Sequence, residues 1–301
     1  MKDCKAWMLR CAVLFFSVNA FAQGTQQSVT GQMMPILISD KFAFTEGPAA
    51  NKAGEIFFTD QPDNKIWKFD TKGKLTVFLD SAGRSNGMYF DSKGNLITCA
   101  DNKNELWKIS PAGKVSVLVK NFKGHRLNGP NDCWLDRGDN IYFTDPFYKR
   151  DYWKHNKPDS SLKGQHLYFL KKGTNQPVII DSNLKQPNGI VGSADGKYLY
   201  VSDIGASKIY RYNISKNGKT TNRMLFADDL SDGMTVDEKG NVYLAGNGVT
   251  VYNPKGEKIQ EIEVPSKWTA NLCFGGSDRK VLFITASESV YILPMKVRGA
   301  R

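Results

Sequence analysis

From residue 34 onward the chain alternates short apolar runs with polar turn residues, and the alternation keeps one register. Six times a polar residue opens an apolar run: Glu46, Asn86, Asn131, Asn188, Asp232 and Asn271. Eight residues on lies a turn position, occupied by Gly54, Gly94, Asp139, Gly196, Gly240 and Arg279. A second run then ends 13 to 15 residues after the opener, often on a carboxylate such as Asp60, Asp101, Asp145 or Asp203. Short runs of alternating apolar residues bounded by Gly, Asn and Asp predict strands, and nothing of helical length and period follows residue 22. The openers are 40, 45, 57, 44 and 39 residues apart. A repeat of that length built from short strands is the pattern of a propeller blade.

The expected fold is therefore all-β, a six-bladed β-propeller over residues 34–301. Its sixth unit lacks a fourth strand, while Pro35-Ile-Leu-Ile-Ser39 precedes the first opener without a partner. Joining the two closes the ring and removes an open hydrophobic edge, so the N-terminal strand is expected to complete the last blade. The long third interval carries extra residues at 147–166, directly after Asp145. That loop is expected to hang over one mouth of the ring, either as the wall of a pocket or as surface decoration.

The first 22 residues have a different character. Lys2, Lys5 and Arg10 flank and precede an apolar stretch that ends in Ala20-Phe21-Ala22, an A-x-A cleavage site. This predicts a secretory signal peptide cut after Ala22 and too short to span a bilayer. The mature protein is expected to be exported, periplasmic in a Gram-negative cell, and unattached to the membrane. Residues 23–33 are polar and read as a linker. Cleavage removes Cys4 and Cys11, leaving Cys99, Cys133 and Cys273 on predicted strands, where buried core thiols are the expectation rather than disulfides or zinc ligands. The net charge of +11 falls to +9 on cleavage, and the lysines are scattered through turns. Such a distribution makes a solvated rim, so no nucleic-acid partner is expected, and a monomer is.

Each hairpin brings the opener and the position near +14 to the same end of the blade. In a propeller the first strand of every blade lines the central channel, so the six openers ring one mouth. The ring is a set of oxygen donors without imidazole or thiolate, which suits a hard divalent cation: Ca²⁺ foremost, with Mg²⁺, Mn²⁺ or Zn²⁺ as the other candidates. Glu46 and Asp232 would balance its charge, amide oxygens of Asn131 and Asn188 would complete the cage, and Asn86 shares the ring as a candidate substrate contact. Taken singly, Asn86-Gly87, Asn188-Gly189 and Asp232-Gly233 read as β-turn dipeptides. Their shared register, eight residues before a separate turn, makes a second turn redundant and favours ligands. The segment Gly83-Arg-Ser-Asn-Gly87 matches G-x-S-x-G, but it leads into a strand rather than a helix, and none of His125, His155 and His166 lies in the repeated core.

The ordered set Thr45-Glu-Gly-Pro48, Arg126-Leu-Asn-Gly-Pro-Asn-Asp132, Tyr142-Phe-Thr-Asp-Pro146, Pro187-Asn-Gly189, Ser231-Asp-Gly-Met234 and Cys273-Phe-Gly-Gly276 resembles the regucalcin/gluconolactonase family from about residue 40 to the end. The resemblance implies a six-bladed propeller with a divalent metal in the channel, and hydrolysis of sugar lactones. It implies Glu46, Asn188 and Asp232 as metal ligands, Asn131 as a fourth ligand or substrate contact, and Asp232 as proton donor and acceptor. Regucalcin-like members carry an arginine two residues before the asparagine of Asn131-Asp132, where this chain has Gly129. Arg126, three residues further back, is the candidate substrate-binding arginine, and the sequence looks closer to bacterial gluconolactonases.

The expected activity is hydrolysis of a sugar lactone with one divalent cation polarising the carbonyl. A carboxylate bound to a cation is a poor base, so Asp145 or His125 is expected to share the proton work; His125 is also a candidate substrate contact, against the plainer reading of an ordinary loop histidine. The alternatives are a phosphotriesterase or aryl-ester hydrolase on the same metal site, or a non-catalytic propeller whose metal ties the blades together.

Overall fold

The computed structural model describes residues 28–31 and 34–300; the expected signal peptide lies outside the described residues. Six four-stranded antiparallel sheets form the blades of a six-bladed β-propeller. Five of them use four consecutive strands, with inner strands Thr45–Ala50, Ser85–Phe90, Cys133–Leu135, Pro187–Gly192 and Met234–Val236. The sixth is built from Thr269–Gly275, Val281–Ala286 and Ser289–Pro294, and its outermost strand is Ile36–Ser39. That N-terminal strand pairs antiparallel with Ser289–Pro294, setting Ile36 against Ile292 and Leu37 against Tyr291. The ring is thus closed by hydrogen bonds between the two ends of the fold.

Residues 28–31, inside the stretch expected to be a linker, are seated on the same blade. Thr30 bridges Met295, the Gly31 amide donates to the Pro294 carbonyl at 2.9 Å, and Val29 is buried. A small apolar residue next to a free strand edge has both a cleft and a ladder to join, which polarity averaged over the segment conceals.

The turns follow the register of the sequence. The residue eight positions after each opener has positive φ in all six blades: glycine in four, Asp139 at 61° and Arg279 at 59° in the others. Just before it, Asn51, Asp91, Asp136 and Asp237 each accept two backbone N–H groups with one side-chain oxygen, tying the hairpin.

The core lies between blades. Apolar layers join blade one to two around Phe57 and Met88, two to three around Leu106 and Phe143, three through five around Trp134 and Tyr200, and five to six around Tyr243 and Leu282. Phe42, Phe58 and Phe283 join six to one, with Phe42 and Phe58 meeting edge-on at 5.2 Å. Cys99, Cys133 and Cys273 are free and buried in these layers.

Candidate metal centre and its lid

The openers lie within the first three residues of the inner strands or, for Asn131 and Asp232, two residues before them, and each strand runs on toward its turn at the other mouth. The glycines after the openers are close-approach positions between successive inner strands rather than turns. A Cβ on Gly47, whose φ is +47°, would sit 2.0 Å from the Asn86 carbonyl oxygen, and one on Gly233 would sit 2.0 Å from the Asn271 side chain. Only glycine lets the strands converge this tightly on the axis.

That convergence brings the openers together. Glu46, Asn86, Asn131, Asn188 and Asn271 are all 6 % exposed or less. Glu46 Oε2 accepts from the Gly47 amide at 2.7 Å and from Asn271 Nδ2 at 3.2 Å. Asp232 Oδ2 accepts from the Trp268 indole at 2.6 Å, and the Asn188 amide lies against the same carboxyl. Burial, then the charge of Asp232, pushes the Glu46 carboxyl well above the ordinary carboxylate range, with Asp132 adding to it. Burial raises Asp232 to about 6 against the Trp268 and Asn188 hydrogen bonds, and raises Asp132 to about 7.

Asp132 and Asn271 also border a cavity of about 1240 Å³ that opens through the opposite mouth.

No group of three or more His, Cys, Asp and Glu side chains with metal geometry occurs among the described residues. The donor set here has another make-up, two carboxylates with asparagine amides, and it fits a hard divalent cation. Glu46 and Asp232 repel one another in a buried site, and the Asn86 Oδ1 is buried without a hydrogen-bond partner among the described residues. A cation would neutralise the two carboxylates, leaving the Asn86 Oδ1 open to a substrate donor.

Several expected site residues lie elsewhere. Asp145 is fully buried, and its two oxygens accept the Asn128 and Gly129 N–H groups at 3.0 and 2.8 Å. Both oxygens are thereby committed to the backbone entering its own blade. Asp60 and Asp203 do the same, taking the N–H groups of Ala43 and Phe44 and of Lys185 and Gln186. Asp60, Asp145 and Asp203 are therefore fasteners of the fold. His125 is exposed beside Asp159 at 3.7 Å, turned outward by a two-way backbone pairing with Phe122. Arg126 points Nη2 toward the Lys157 carbonyl at 3.4 Å rather than into the ring. Ser85, the serine of the G-x-S-x-G match, donates to the Ala82 carbonyl at 2.5 Å in the turn just before its strand.

Two side chains that the sequence reading did not single out reach the ring. Trp268 comes from the segment entering blade six. Tyr148 comes from the long loop after Asp145, its hydroxyl 2.8 Å from Asn188 Nδ2. Their only signal in the sequence was position: one three residues before an opener, the other in the aromatic-rich insertion.

Comparison with known proteins matches residues 44–288 to the SMP-30/Gluconolactonase/LRE-like region. The chain belongs to this family. Among its SMP-30/gluconolactonase relatives, a gluconolactonase of Zymomonas mobilis is 30% identical over 87% of this chain and 82% of its own length. The diisopropyl-fluorophosphatase of Loligo vulgaris is 25% identical over 84% of this chain and 88% of its own. A solved gluconolactonase from Xanthomonas campestris superposes with a TM-score of 0.81 at 27% identity, covering 89% of this chain and 91% of that one.

Proposed function

We propose that the protein hydrolyses a sugar lactone with one divalent cation, Ca²⁺ foremost, held by Glu46, Asn188 and Asp232 with Asn131 as fourth ligand. The observation that carries this reading is the buried pairing of Glu46 with Asp232 inside a ring of asparagine amides. The named relatives supply the substrate class, since the fold alone hosts many activities. When bound, the cation would polarise the lactone carbonyl and stabilise charge developing on its oxygen.

The chain's own residues do the rest. Trp268 and Asn188 orient the Asp232 carboxyl, which takes a proton from the attacking water and returns it to the ring oxygen as that C–O bond breaks; burial, which raises this carboxyl to about 6, offsets the basicity that a bound cation would remove. The water oxygen forms the new bond to the carbonyl carbon, and the product is the open hydroxy acid. Asn86, with its unpartnered Oδ1, is placed to accept from a substrate hydroxyl.

The test is hydrolysis of a panel of aldonolactones by the purified protein, before and after chelation and with each cation restored. Activity that disappears with chelator and returns with Ca²⁺ supports the reading. A cation-loaded protein inert on every lactone rejects it. The likeness to a fluorophosphatase favours one second reading, attack at phosphorus on the same site, so diisopropyl fluorophosphate belongs in the panel. An Asp232→Asn protein that keeps fold and cation but loses hydrolysis rules out a purely structural metal.

A further inference from the structure

In blades one, three and four the aspartate ending the second strand fastens the backbone entering its own blade. Asp101 holds the same place in blade two and does something else. There Asn64 Oδ1 takes the Arg84 N–H at 2.6 Å, so the entering chain is already fastened. Asp101 Oδ2 instead receives Arg150 Nε at 2.9 Å, the Tyr152 hydroxyl and Gln61 Nε2 at 3.3 Å. The Trp153 indole donates to the Asp101 backbone carbonyl at 2.7 Å, and the Arg84 guanidinium lies over the Tyr152 ring at 4.3 Å. The insertion after Asp145 therefore leaves blade three, crosses the mouth and is latched on a buried carboxylate of blade two. A charged, nearly inaccessible acceptor with a bonded guanidinium is a strong anchor for a loop.

What the latch delivers is Tyr148. Asn188 Nδ2 is a donor only, so in the 2.8 Å contact the tyrosine oxygen must accept. Its own proton is left to point elsewhere, and no acceptor takes it among the described residues. The hydroxyl stands where the charges of Asp232 and Glu46 both reach it.

We propose that Tyr148 contacts the substrate: the lid, latched on Asp101, presents its hydroxyl as a hydrogen-bond donor to an oxygen of a lactone seated over the ring beside Asn188 and Asp232. This deepens the lactone-hydrolase reading and rests on it. The chemistry matches an oxygen-rich neutral ring, whose carbonyl and ring oxygens only accept. Asp101 is then a positioning residue, acting through Tyr148 without touching substrate.

The experiment compares the full chain with Tyr148→Phe, Asp101→Asn and the double variant. Three quantities are measured: kcat and KM for gluconolactone, calorimetric binding of the corresponding non-hydrolysable lactam, and calorimetric binding of Ca²⁺ alone. Tyr148→Phe should keep its Ca²⁺ affinity within about twofold while lactam affinity and kcat/KM each fall about tenfold, the scale of one lost hydrogen bond. Asp101→Asn should fall in the same direction, and adding Tyr148→Phe to it should cost much less than in the wild type, because the two act in series. Lactam affinity and kcat/KM within twofold of wild type in Tyr148→Phe overturn the proposal while the lactone-hydrolase reading stands. Fully additive losses overturn the latch. A wild type that binds lactam through Tyr148 but hydrolyses nothing rejects the activity and upholds the contact. A wild type that neither binds nor hydrolyses rejects both.

Discussion

Asp145 illustrates how one residue can suggest a site and serve the fold. Its burial pushes the carboxyl to about 7, a value suited to a general base, yet both oxygens are committed to the Asn128 and Gly129 amides. The raised value has a consequence for stability instead. A carboxyl that titrates higher folded than unfolded contributes stability that is complete below the unfolded pKa and is lost as pH rises through the folded one. Asp145→Asn removes that titration and leaves one amide without an acceptor, at a cost of about 1–3 kcal/mol. The stability difference between wild type and variant should therefore be largest near pH 4 and shrink by pH 8, measured by urea unfolding at several pH values. A difference that does not change with pH would refute the assignment. The same lesson applies to His125 and Arg126: residue type made them candidates, and local backbone pairing and the lid's path sent them elsewhere.

At the scale of the element, the unit of the site in four of the six blades is the opener with its glycine. The opener supplies an oxygen donor and the glycine lets the neighbouring inner strand come close enough to share it. Gly47→Ala should disturb both, since its Cβ would meet the Asn86 carbonyl, a backbone atom with little room to yield. The expected loss is at least the about 1–3 kcal/mol of an overpacked core, with weakened Ca²⁺ binding, read by thermal unfolding and calorimetry. An unchanged midpoint would mean the inner strands have slack that the geometry denies. The lid is the other functional element, and its composition showed only that it was long and aromatic. Its attachment point was hidden, because Asp101 looks in sequence like every other aspartate near +14 and differs only in what reaches it.

For the whole molecule, closure is the governing constraint. The Ile36–Ser39 strand leaves Ile36 and Leu37 about half exposed, so its contribution is largely the backbone ladder to Ser289–Pro294, supported by the seating of Val29 and Thr30. Deleting residues 28–39 should open that edge, lower the unfolding midpoint and produce concentration-dependent association by light scattering. A truncated protein that stays monomeric with the same midpoint would show that the ring needs no such clasp. The sequence alone determined the blade count, the turn register, the closing strand and the identity of the ring residues, because a repeat carries its pattern in spacing that survives without coordinates. Tertiary structure decided which carboxylates face the axis and which fasten backbone, what Trp268 and Tyr148 touch, and where the lid is latched. Those outcomes depend on contacts between segments 36 to 52 residues apart, such as Trp268 with Asp232 and Trp153 with Asp101, and no local pattern records which distant atom a side chain will meet.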